Sequence, residues 1–446
     1  MSDTDDISPS PPTAAVLTLG CRVNQTDSGR IRHLLEQKGY RAGSGLDGAA
    51  PEVVVINTCS VTLESDRQAR QLVRKVARNH PDAEIVVTGC YAQRAPEELR
   101  AIEGVGHVLG NGEKFDLDGV VADRRLIPIK VAATERGVEP QSDGAVAGRT
   151  RATLQIQNGC DERCTFCIVP SVRGRSVSQP LSDILEQART LVEIGHGEIV
   201  LTGINLGAYG RDLESGETVS RVVRGVLQLP GLRRLRLSSI DPVDVEQALI
   251  DLFATEPRLC PHLHLSVQSG DDTILKRMHR RNSRQDVLDR IVALRRVRPE
   301  ITFGADLIVG FPTESPEAFR NSLSLVEQGG IGHLHVFRYS DRPGVAAADI
   351  PRRFRVPDQE IKRRSGVLRA LGERILNQQN WRMVGQSVPI LVEKRRRDGL
   401  IEGHSAHFLT VHALDRGQTQ PGAMVLVQIE ALERSGGVLM GRVVDA

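Results

Sequence analysis

The feature that most constrains this fold is a regular alternation of strand-like and helix-like segments. In the first hundred residues, short apolar runs that predict β-strands occur at Val16–Leu19, Val53–Ile56 and Ile85–Val87. The segments between them carry apolar residues at the spacing of one helical face. This βαβαβ order predicts a parallel sheet, because each crossover helix returns the chain to the same end of the sheet.

A second α/β unit follows residues 136–150, a stretch with Gly, Ser and Pro that predicts a linker. Its six candidate strands are Leu154–Gln157, Glu198–Asn205, Leu232–Ser239, Leu263–Ser269, Ile301–Val309 and Leu334–Tyr339. Six βα units fit an incomplete barrel better than an open three-strand sheet. In HLHLSVQS, the polar residues His262, His264, Ser266 and Gln268 share one face. A barrel would present that face to its lumen, where a cofactor can bind.

The last sixty residues change to short strands without helical patterns between them. The candidates are Val388–Glu393, His407–His412, Met424–Glu430 and Val438–Val443. Gly-rich turns separate them, which predicts a small β-barrel, a shape often used to bind nucleic acid.

Charge is distributed unevenly along the 446 residues. The net charge is only +2, yet residues 351–397 hold thirteen Lys or Arg and four Asp or Glu. An excess of this size suits a polyanion-binding surface, although runs such as Lys394–Arg397 are more often a solvated face. Aromatic residues make up only 3%, which argues against an extensive base-stacking platform. No segment is apolar enough to span a membrane, and the acidic, Pro-rich start does not fit a signal peptide, so we expect a cytoplasmic protein.

Three of the seven cysteines lie in the stretch NGCDERCTFCIVP, at Cys160, Cys164 and Cys167. Spacings of this kind let one loop wrap a metal centre, and the loop follows the first candidate barrel strand. Structural zinc needs four ligands, and only distant residues such as His196 or His262 offer a fourth. An iron-sulfur cluster with three thiolate ligands instead keeps one iron open for a substrate or cofactor.

Three other cysteines each follow a strand of the first sheet. Cys21 follows the first strand, Cys59 the second and Cys90 the third. Because the carboxyl ends of parallel strands meet at one edge, the sequence predicts that these three lie together. A buried structural role suits any one of them alone, and it suits the isolated Cys260 best.

These motifs together resemble the radical S-adenosylmethionine (SAM) methylthiotransferase family. The resemblance includes the three-cysteine loop, TLGCRVNQ, INTCSVT and VTGCYAQ before it, and TGINLGAYG, LSVQSGDD and DLIVGFPTE after it. It implies two 4Fe-4S clusters, one on Cys160, Cys164 and Cys167 that generates a radical from SAM, and an auxiliary one on the strand-end cysteines. It also implies that SAM donates the methyl of the new methylthio group. The C-terminal strings VGQSVPILVE and EGHSAHFLTV are similar to the RNA-binding TRAM domain of that family.

The resemblance implies a three-part α/β architecture. We expect a tail at 1–12, an N-terminal parallel-sheet domain at 13–135, the linker at 136–150, a partial (β/α)6 radical SAM barrel at 151–382 and a TRAM β-barrel at 383–446. Candidate SAM contacts lie at or near the ends of barrel strands, where capping or lumen packing is an equal alternative. These candidates are Gly203, Asn205, Ser239, Gln268 and Asp306.

Three substrates fit this family: isopentenyladenosine in tRNA, threonylcarbamoyladenosine in tRNA, and an aspartate of a ribosomal protein. Val23–Gln25 after Cys21, Val61–Thr62 after Cys59 and Tyr91 after Cys90 most resemble the threonylcarbamoyladenosine branch. The expected partners are tRNA and an electron donor such as flavodoxin or ferredoxin. A noncatalytic RNA-binding protein with structural zinc is the alternative from another functional class.

Overall fold

The structure is a computed structural model that describes residues 11–46, 50–117, 150–415, 417, 419–433 and 436–444. Apart from residues 11, 12 and 150, the predicted tail and linker lie outside these ranges. The chain divides into two compact units, residues 1–144 with 171–174, and residues 145–170 with 175–446. Among the described residues, no helix combines the length and apolar character needed to cross a lipid bilayer.

The first unit contains a five-stranded parallel sheet in the order β2-β1-β3-β4-β5. Its strands are Thr13–Thr18 (β1), Arg41–Gly43 (β2), Val53–Thr58 (β3), Glu84–Gly89 (β4) and His107–Val108 (β5). Its helices are Arg22–Gln37 (α1), Leu63–Asn79 (α2), Cys90–Arg94 (α3) and Pro96–Arg100 (α4). The predicted parallel α/β sheet is confirmed, whereas the sequence did not predict the short edge strands β2 and β5.

Local sequence explains where the helices of this unit begin and which face they bury. Thr62 caps α2 by accepting a hydrogen bond from the Ser65 amide. Ala69, Val73 and Val76 recur at helical spacing on α2 and are buried in the core. The central strand β3 is buried along its whole length, as expected for a parallel strand covered on both faces.

In the second unit, six parallel strands and one antiparallel strand form two sheet segments, β7-β6-β8-β9 and β10-β11-β12. The strands are Arg151–Asn158 (β6), Val177–Ser178 (β7), Glu198–Gly203 (β8), Arg234–Leu237 (β9), His262–Gln268 (β10), Thr302–Val309 (β11) and Ile331–Arg338 (β12). Isolated parallel bridges, Leu235 to Leu259 and Ile240 to Leu265, link the two segments. This arrangement confirms the predicted partial barrel, and all six predicted strands are present.

Helices accompany these strands along the chain. They are Val169–Arg173 (α5), Leu181–Glu193 (α6), Val219–Leu227 (α7), Gln247–Thr255 (α8), Asp272–Arg277 (α9), Arg284–Val297 (α10), Pro316–Gly329 (α11) and Asp358–Trp381 (α12). Short 3-10 turns lie at Leu206–Ala208, Pro242–Asp244, Ala346–Asp349 and Arg352–Phe354. Buried residues from α6, α7, α8, α10, α11 and α12 join one face of the strands in a single large core.

The C-terminal strands close into a barrel in the order β13-β14-β15-β17-β16. They are Ser387–Arg395 (β13), Leu400–Ser405 (β14), Thr410–Leu414 (β15), Met424–Leu432 (β16) and Val438–Val444 (β17). The small β-barrel is confirmed, but the prediction missed β14 and placed β15 at His407–His412. Gly403 explains the omission, because a Cβ there would lie 2.1 Å from the Leu391 carbonyl oxygen. A glycine is needed where two strands approach closely, but it has no side chain. It therefore weakens the apolar alternation by which a strand is recognised in a sequence.

The turn after β14 packs against the N-terminal ends of the barrel strands. The buried guanidinium of Arg236 donates to the carbonyl oxygens of Ser405 and Ala406, at 3.1 and 3.0 Å. Glu198 accepts from Arg236 at 2.9 Å, so this cation is paired within the protein. Phe408 adopts a left-handed φ of 64°, and Arg236 lies over its ring. These contacts make the C-terminal barrel part of the second unit.

Candidate metal centres

The first cysteine set lies in the loop that follows β6. The Cys167 amide donates to the Cys164 carbonyl at 3.0 Å, which closes a tight turn between two of the thiols. Thr165 anchors this turn, since its amide donates to the Met278 carbonyl at 3.1 Å. The loop therefore holds Cys160, Cys164 and Cys167 on one short, fixed stretch of backbone.

Two polar side chains from elsewhere in the second unit contact this loop, one just after β8 and one just after α9. Asn205 Nδ2 lies 3.8 Å from Cys160 Sγ, and Arg280 Nη1 lies 3.8 Å from Cys164 Sγ. Arg280 is fixed in turn by Asp241, whose carboxylate accepts from its Nη2 at 2.6 Å. N–H donors this close to sulfur stabilise negative charge on thiolate ligands. The sequence analysis named Asn205 but missed Arg280, because an arginine 116 residues from Cys164 has no local spacing signal.

The thiols of this loop influence one another. Burial, with a smaller contribution from the neighbouring Cys164 and Cys160, raises the pKa of Cys167 to about 12. Metal binding must displace the protons of such thiols, because the thiolate is the form that binds metal.

Neither histidine of the zinc alternative is near this loop. His262 is the first residue of β10, and its ring stacks on Phe408 at the N-terminal end of the barrel strands. His196 precedes β8, where its Nδ1 lies 3.5 Å from the Thr150 carbonyl oxygen. The cysteine loop follows the carboxyl end of a strand, so both histidines lie at the opposite end of the parallel strands.

The second cysteine set lies at the carboxyl ends of three strands of the first sheet. Cys21 is the N-cap of α1, Cys59 follows β3 directly, and Cys90 begins α3 directly after β4. Burial is the main cause that raises the pKa of Cys59 to about 12, and the nearby Cys90 and Cys21 raise it further. Gly20 permits this approach, since a Cβ there would lie 2.5 Å from the Cys59 Cβ. The three cysteines are therefore neighbours, as their positions in the sequence predict.

A buried ion network surrounds this second set. Asp27 accepts from Lys114 Nζ at 2.7 Å and from Arg173 Nη2 at 3.0 Å, and all three side chains are at most 4% exposed. Arg173 also donates to Asn24 Oδ1 at 2.5 Å, and that oxygen lies 4.0 Å from Cys21 Sγ. Burial alone would raise the pKa of Asp27, but the two cations outweigh it and lower that pKa. Two buried cations against one carboxylate leave a net positive charge beside the thiols.

The geometry also separates a cluster site from a single-ion site. Within the described ranges, the one group of three or more His, Cys, Asp or Glu that converges tightly enough for a single ion is His264, Asp306 and His335. Around one zinc ion, with bonds of about 2.3 Å, three sulfurs would lie about 4 Å or less apart. Neither cysteine set converges in this way, whereas a cluster of several iron atoms needs wider spacing.

The candidate SAM contacts lie at different levels of the barrel. Gly203 ends β8, and the Asn205 amide donates to Gln157 Oε1 at 2.9 Å. Ser239 follows β9 and is half-buried, and Gln268 ends β10 with a left-handed φ of 70°. Asp306 lies within β11, three residues before its end.

Family models match two parts of the chain. Residues 13–110 match the family described as UPF0004, and residues 154–326 match the radical SAM superfamily. Among the curated relatives, the threonylcarbamoyladenosine tRNA methylthiotransferase MtaB of Rickettsia prowazekii is 41% identical, over 89% of this chain and 90% of that protein. The chain belongs to the radical SAM methylthiotransferase family.

Other methylthiotransferases are also similar. The MtaB of Thermotoga maritima is 34% identical, over 89% of this chain and 90% of that protein. A tRNA-2-methylthio-N(6)-dimethylallyladenosine synthase of Syntrophotalea carbinolica is 34% identical, over 86% and 88%. The radical SAM methyltransferase TsrM of Kitasatospora setae shares the fold, with a TM-score of 0.56 at 16% identity, over 76% of this chain and 77% of that one.

Membership of this methylthiotransferase family implies SAM and 4Fe-4S clusters, and the cysteine sets fit them. Each set offers three thiols, which leaves one iron of a four-iron cluster without a protein ligand. Each set also has a fixed arginine nearby, Arg280 in one case and Arg173 in the other.

Proposed function

We propose that this methylthiotransferase adds a methylthio group to carbon 2 of N6-threonylcarbamoyladenosine next to the anticodon of tRNA. The second cysteine set carries the proposal, because a generic radical SAM enzyme needs only the loop that follows β6. The printed name of the 41% identical relative supports the choice of substrate.

The protein residues position the cofactors and the reacting base. Cys160, Cys164 and Cys167 would hold the cluster that binds SAM, and the strand-end set would hold the auxiliary cluster. When bound, SAM and the clusters supply the adenosyl radical, the sulfur and the methyl group. We retain Gly203, Asn205, Ser239 and Gln268 as SAM contacts, since they lie at or just beyond strand carboxyl ends. Asp306 instead accepts hydrogen bonds from His264 and His335.

The basic segment supports tRNA as the partner. Arg352, Lys362, Arg369, Arg382 and Arg397 all come from residues 351–397 and are exposed. Phosphate contacts of this kind contribute affinity without reading sequence, and they weaken steeply as salt increases. We further infer that the enzyme works in the cytoplasm, where tRNA is found, and takes electrons from a donor such as flavodoxin or ferredoxin.

Nucleoside mass spectrometry of tRNA tests this function. A strain that lacks the gene should lose 2-methylthio-N6-threonylcarbamoyladenosine and accumulate its unthiolated precursor. The wild-type gene should restore the product, whereas a Cys160→Ala gene should not. Persistence of the methylthio nucleoside in the deletion strain would refute the proposal. Loss of the methylthio-dimethylallyl nucleoside instead would assign the enzyme to the other tRNA branch.

A further inference from the structure

Three polar side chains on adjacent strands form a cluster inside the second unit. His264 on β10, Asp306 on β11 and His335 on β12 lie in neighbouring register positions, since Asp306 pairs with His335 and Gly304 pairs with His264. Asp306 Oδ1 lies 3.0 Å from His264 Nε2 and 3.1 Å from His335 Nδ1. One carboxylate oxygen thus joins two imidazole rings.

This cluster faces the lumen of the partial barrel. Side chains alternate along a strand, and Leu263, Leu265, Ala305 and Leu307, which flank the cluster in sequence, belong to the core shared with the helices. The cluster must therefore lie on the opposite face of the strands. That face is accessible, since the side chain of His335 is 61% exposed.

Hydrogen bonding fixes the orientation of both rings. Burial would raise the pKa of Asp306, but the hydrogen bonds from His264 and His335 outweigh it and lower that pKa. An ionised carboxylate can only accept, so the ring nitrogens that face it carry protons. Gly304 provides room for His264, because a Cβ there would lie 2.3 Å from its Nδ1. His335 is left with Nε2 pointing away from Asp306.

The cluster lies slightly deeper in the barrel lumen than the loop that carries Cys160, Cys164 and Cys167. Ser266 is two residues after His264 on the same face of β10, which corresponds to about 7 Å along the strand. Its carbonyl accepts from Arg280 at 2.6 Å, and Arg280 lies 3.8 Å from Cys164 Sγ. A substrate group that extends one layer of side chains deeper into the lumen than this loop would contact His264 and His335.

We propose that His335 binds the threonyl carboxylate of the N6 substituent, and that Asp306 and His264 position its ring. When the ring of His335 is doubly protonated, Nδ1–H donates to Asp306 and Nε2–H is presented to an incoming carboxylate or hydroxyl oxygen. An apolar dimethylallyl group cannot accept that hydrogen bond and would leave the cluster unpaired, which disfavours it as a substrate. This inference rests on the proposed function. It gives Asp306 the role of positioning the His335 ring, and no longer that of contacting SAM.

The test uses the full-length, cluster-loaded enzyme and two anticodon stem-loops, one with threonylcarbamoyladenosine and one with unmodified adenosine. The wild-type enzyme should bind the modified RNA more tightly. His335→Ala should weaken binding of the modified RNA about tenfold or more, but leave the unmodified RNA unaffected. His335→Gln, which keeps an N–H donor, should recover part of the preference, and His33→Ala on the exposed face of α1 should change nothing.

Iron and sulfide content and the thermal unfolding midpoint should be the same in wild-type enzyme and His335→Ala, which excludes a general folding defect. Unchanged preference in His335→Ala, with wild-type turnover of the modified RNA, would overturn this inference and leave the proposed function intact. No turnover of the modified RNA by wild-type enzyme would instead refute the proposed function. A divalent ion beyond the cluster iron, lost in Asp306→Asn, would also overturn the inference, since the cluster would then be a metal site.

Discussion

The two proposed cluster sites each bring three cysteines together, but by different structural routes. Cys160, Cys164 and Cys167 lie within eight positions of one loop, so local spacing alone brings them together. Cys21, Cys59 and Cys90 are 38 and 31 residues apart in turn, and the ends of parallel strands unite them. A set of the second kind is recognised only after the sheet has been predicted.

The polar surroundings of the two sets differ as well. Beside the loop, one arginine with a buried side chain, Arg280, pairs with the buried carboxylate of Asp241. Beside the strand ends, Asp27 joins Arg173 and Lys114 in a network closed off from solvent. The second site therefore depends more on buried charge, and its residues should be the more sensitive to substitution.

The largest expected effects come from removing one thiol of each set. Cys164→Ala and Cys59→Ala should both abolish methylthio product, because each proposed cluster would lose a ligand. They should differ in SAM cleavage: Cys164→Ala stops formation of 5'-deoxyadenosine, whereas Cys59→Ala continues it without product. Chromatography of the reaction measures both species.

Cys260→Ala is the matched control, because this buried cysteine belongs to neither set. It should retain both activities. Equal loss of SAM cleavage in the Cys164→Ala and Cys59→Ala variants would show that the two sites do not have separate roles.

The buried network of the first unit gives the next largest effect. Arg173→Met removes one cation from buried Asp27 and should cost about 3 kcal/mol. Hydrogen-exchange mass spectrometry should show amides of β1, β3 and β4 exchanging about a hundredfold faster, while β10–β12 stay unchanged. Arg175→Met is the control, since its side chain is 73% exposed and surface changes cost less than about 0.5 kcal/mol. Similar exchange in both variants would contradict the importance of the network.

A pH-dependent effect is expected in the second unit. Burial would raise the pKa of Glu198, but Arg236, Arg234 and Arg151 outweigh it and lower that pKa to about 2. Because the folded-state pKa lies below the usual value, this carboxylate stabilises the fold above about pH 4.5 and loses its contribution as pH falls toward 2. Glu198→Gln should therefore lower the free energy of unfolding by about 3 kcal/mol at pH 7 and by less at pH 3.5. An equal difference at both pH values, measured by urea unfolding, would be inconsistent with this pairing.

The smallest predicted effect distinguishes the stability cost of backbone strain from the cost of steric crowding beside Cys59. Gly20 and Gly39 have similar left-handed φ values, 101° and 86°, but only a Cβ at Gly20 would clash. Gly39→Ala should cost about 1 kcal/mol from backbone strain alone. Gly20→Ala should cost about 2 kcal/mol and also lower the iron content of the strand-end site. Full iron retention in Gly20→Ala would show that the close approach to Cys59 is not needed.

The comparison also shows what the sequence could and could not predict. The parallel sheet, the partial barrel and the family followed from periodicity and motifs, and the structure and relatives confirm them. Strand β14 was missed because Gly403 interrupts its pattern, and β15 begins three residues later than predicted. Arg173 could not be linked to Asp27, since the two are 146 positions apart and a buried arginine looks like any other in a sequence.

Side-chain orientation was predicted in part. The alternating pattern of HLHLSVQS correctly places His264 on the face opposite Leu263 and Leu265. The pattern does not reveal that Asp306 and His335 meet it, because strand pairing and register decide which residues of β11 and β12 lie alongside.

The most direct test of the central claim is the iron and sulfide content of anaerobically reconstituted protein. Two three-cysteine sites predict about eight irons and eight sulfides per chain in the wild type. A variant with Cys160, Cys164 and Cys167 all changed to Ala should hold about four of each, and so should a variant with Cys21, Cys59 and Cys90 changed. About four in the wild type, with one triple variant unaffected, would contradict the claim that both sets hold a cluster.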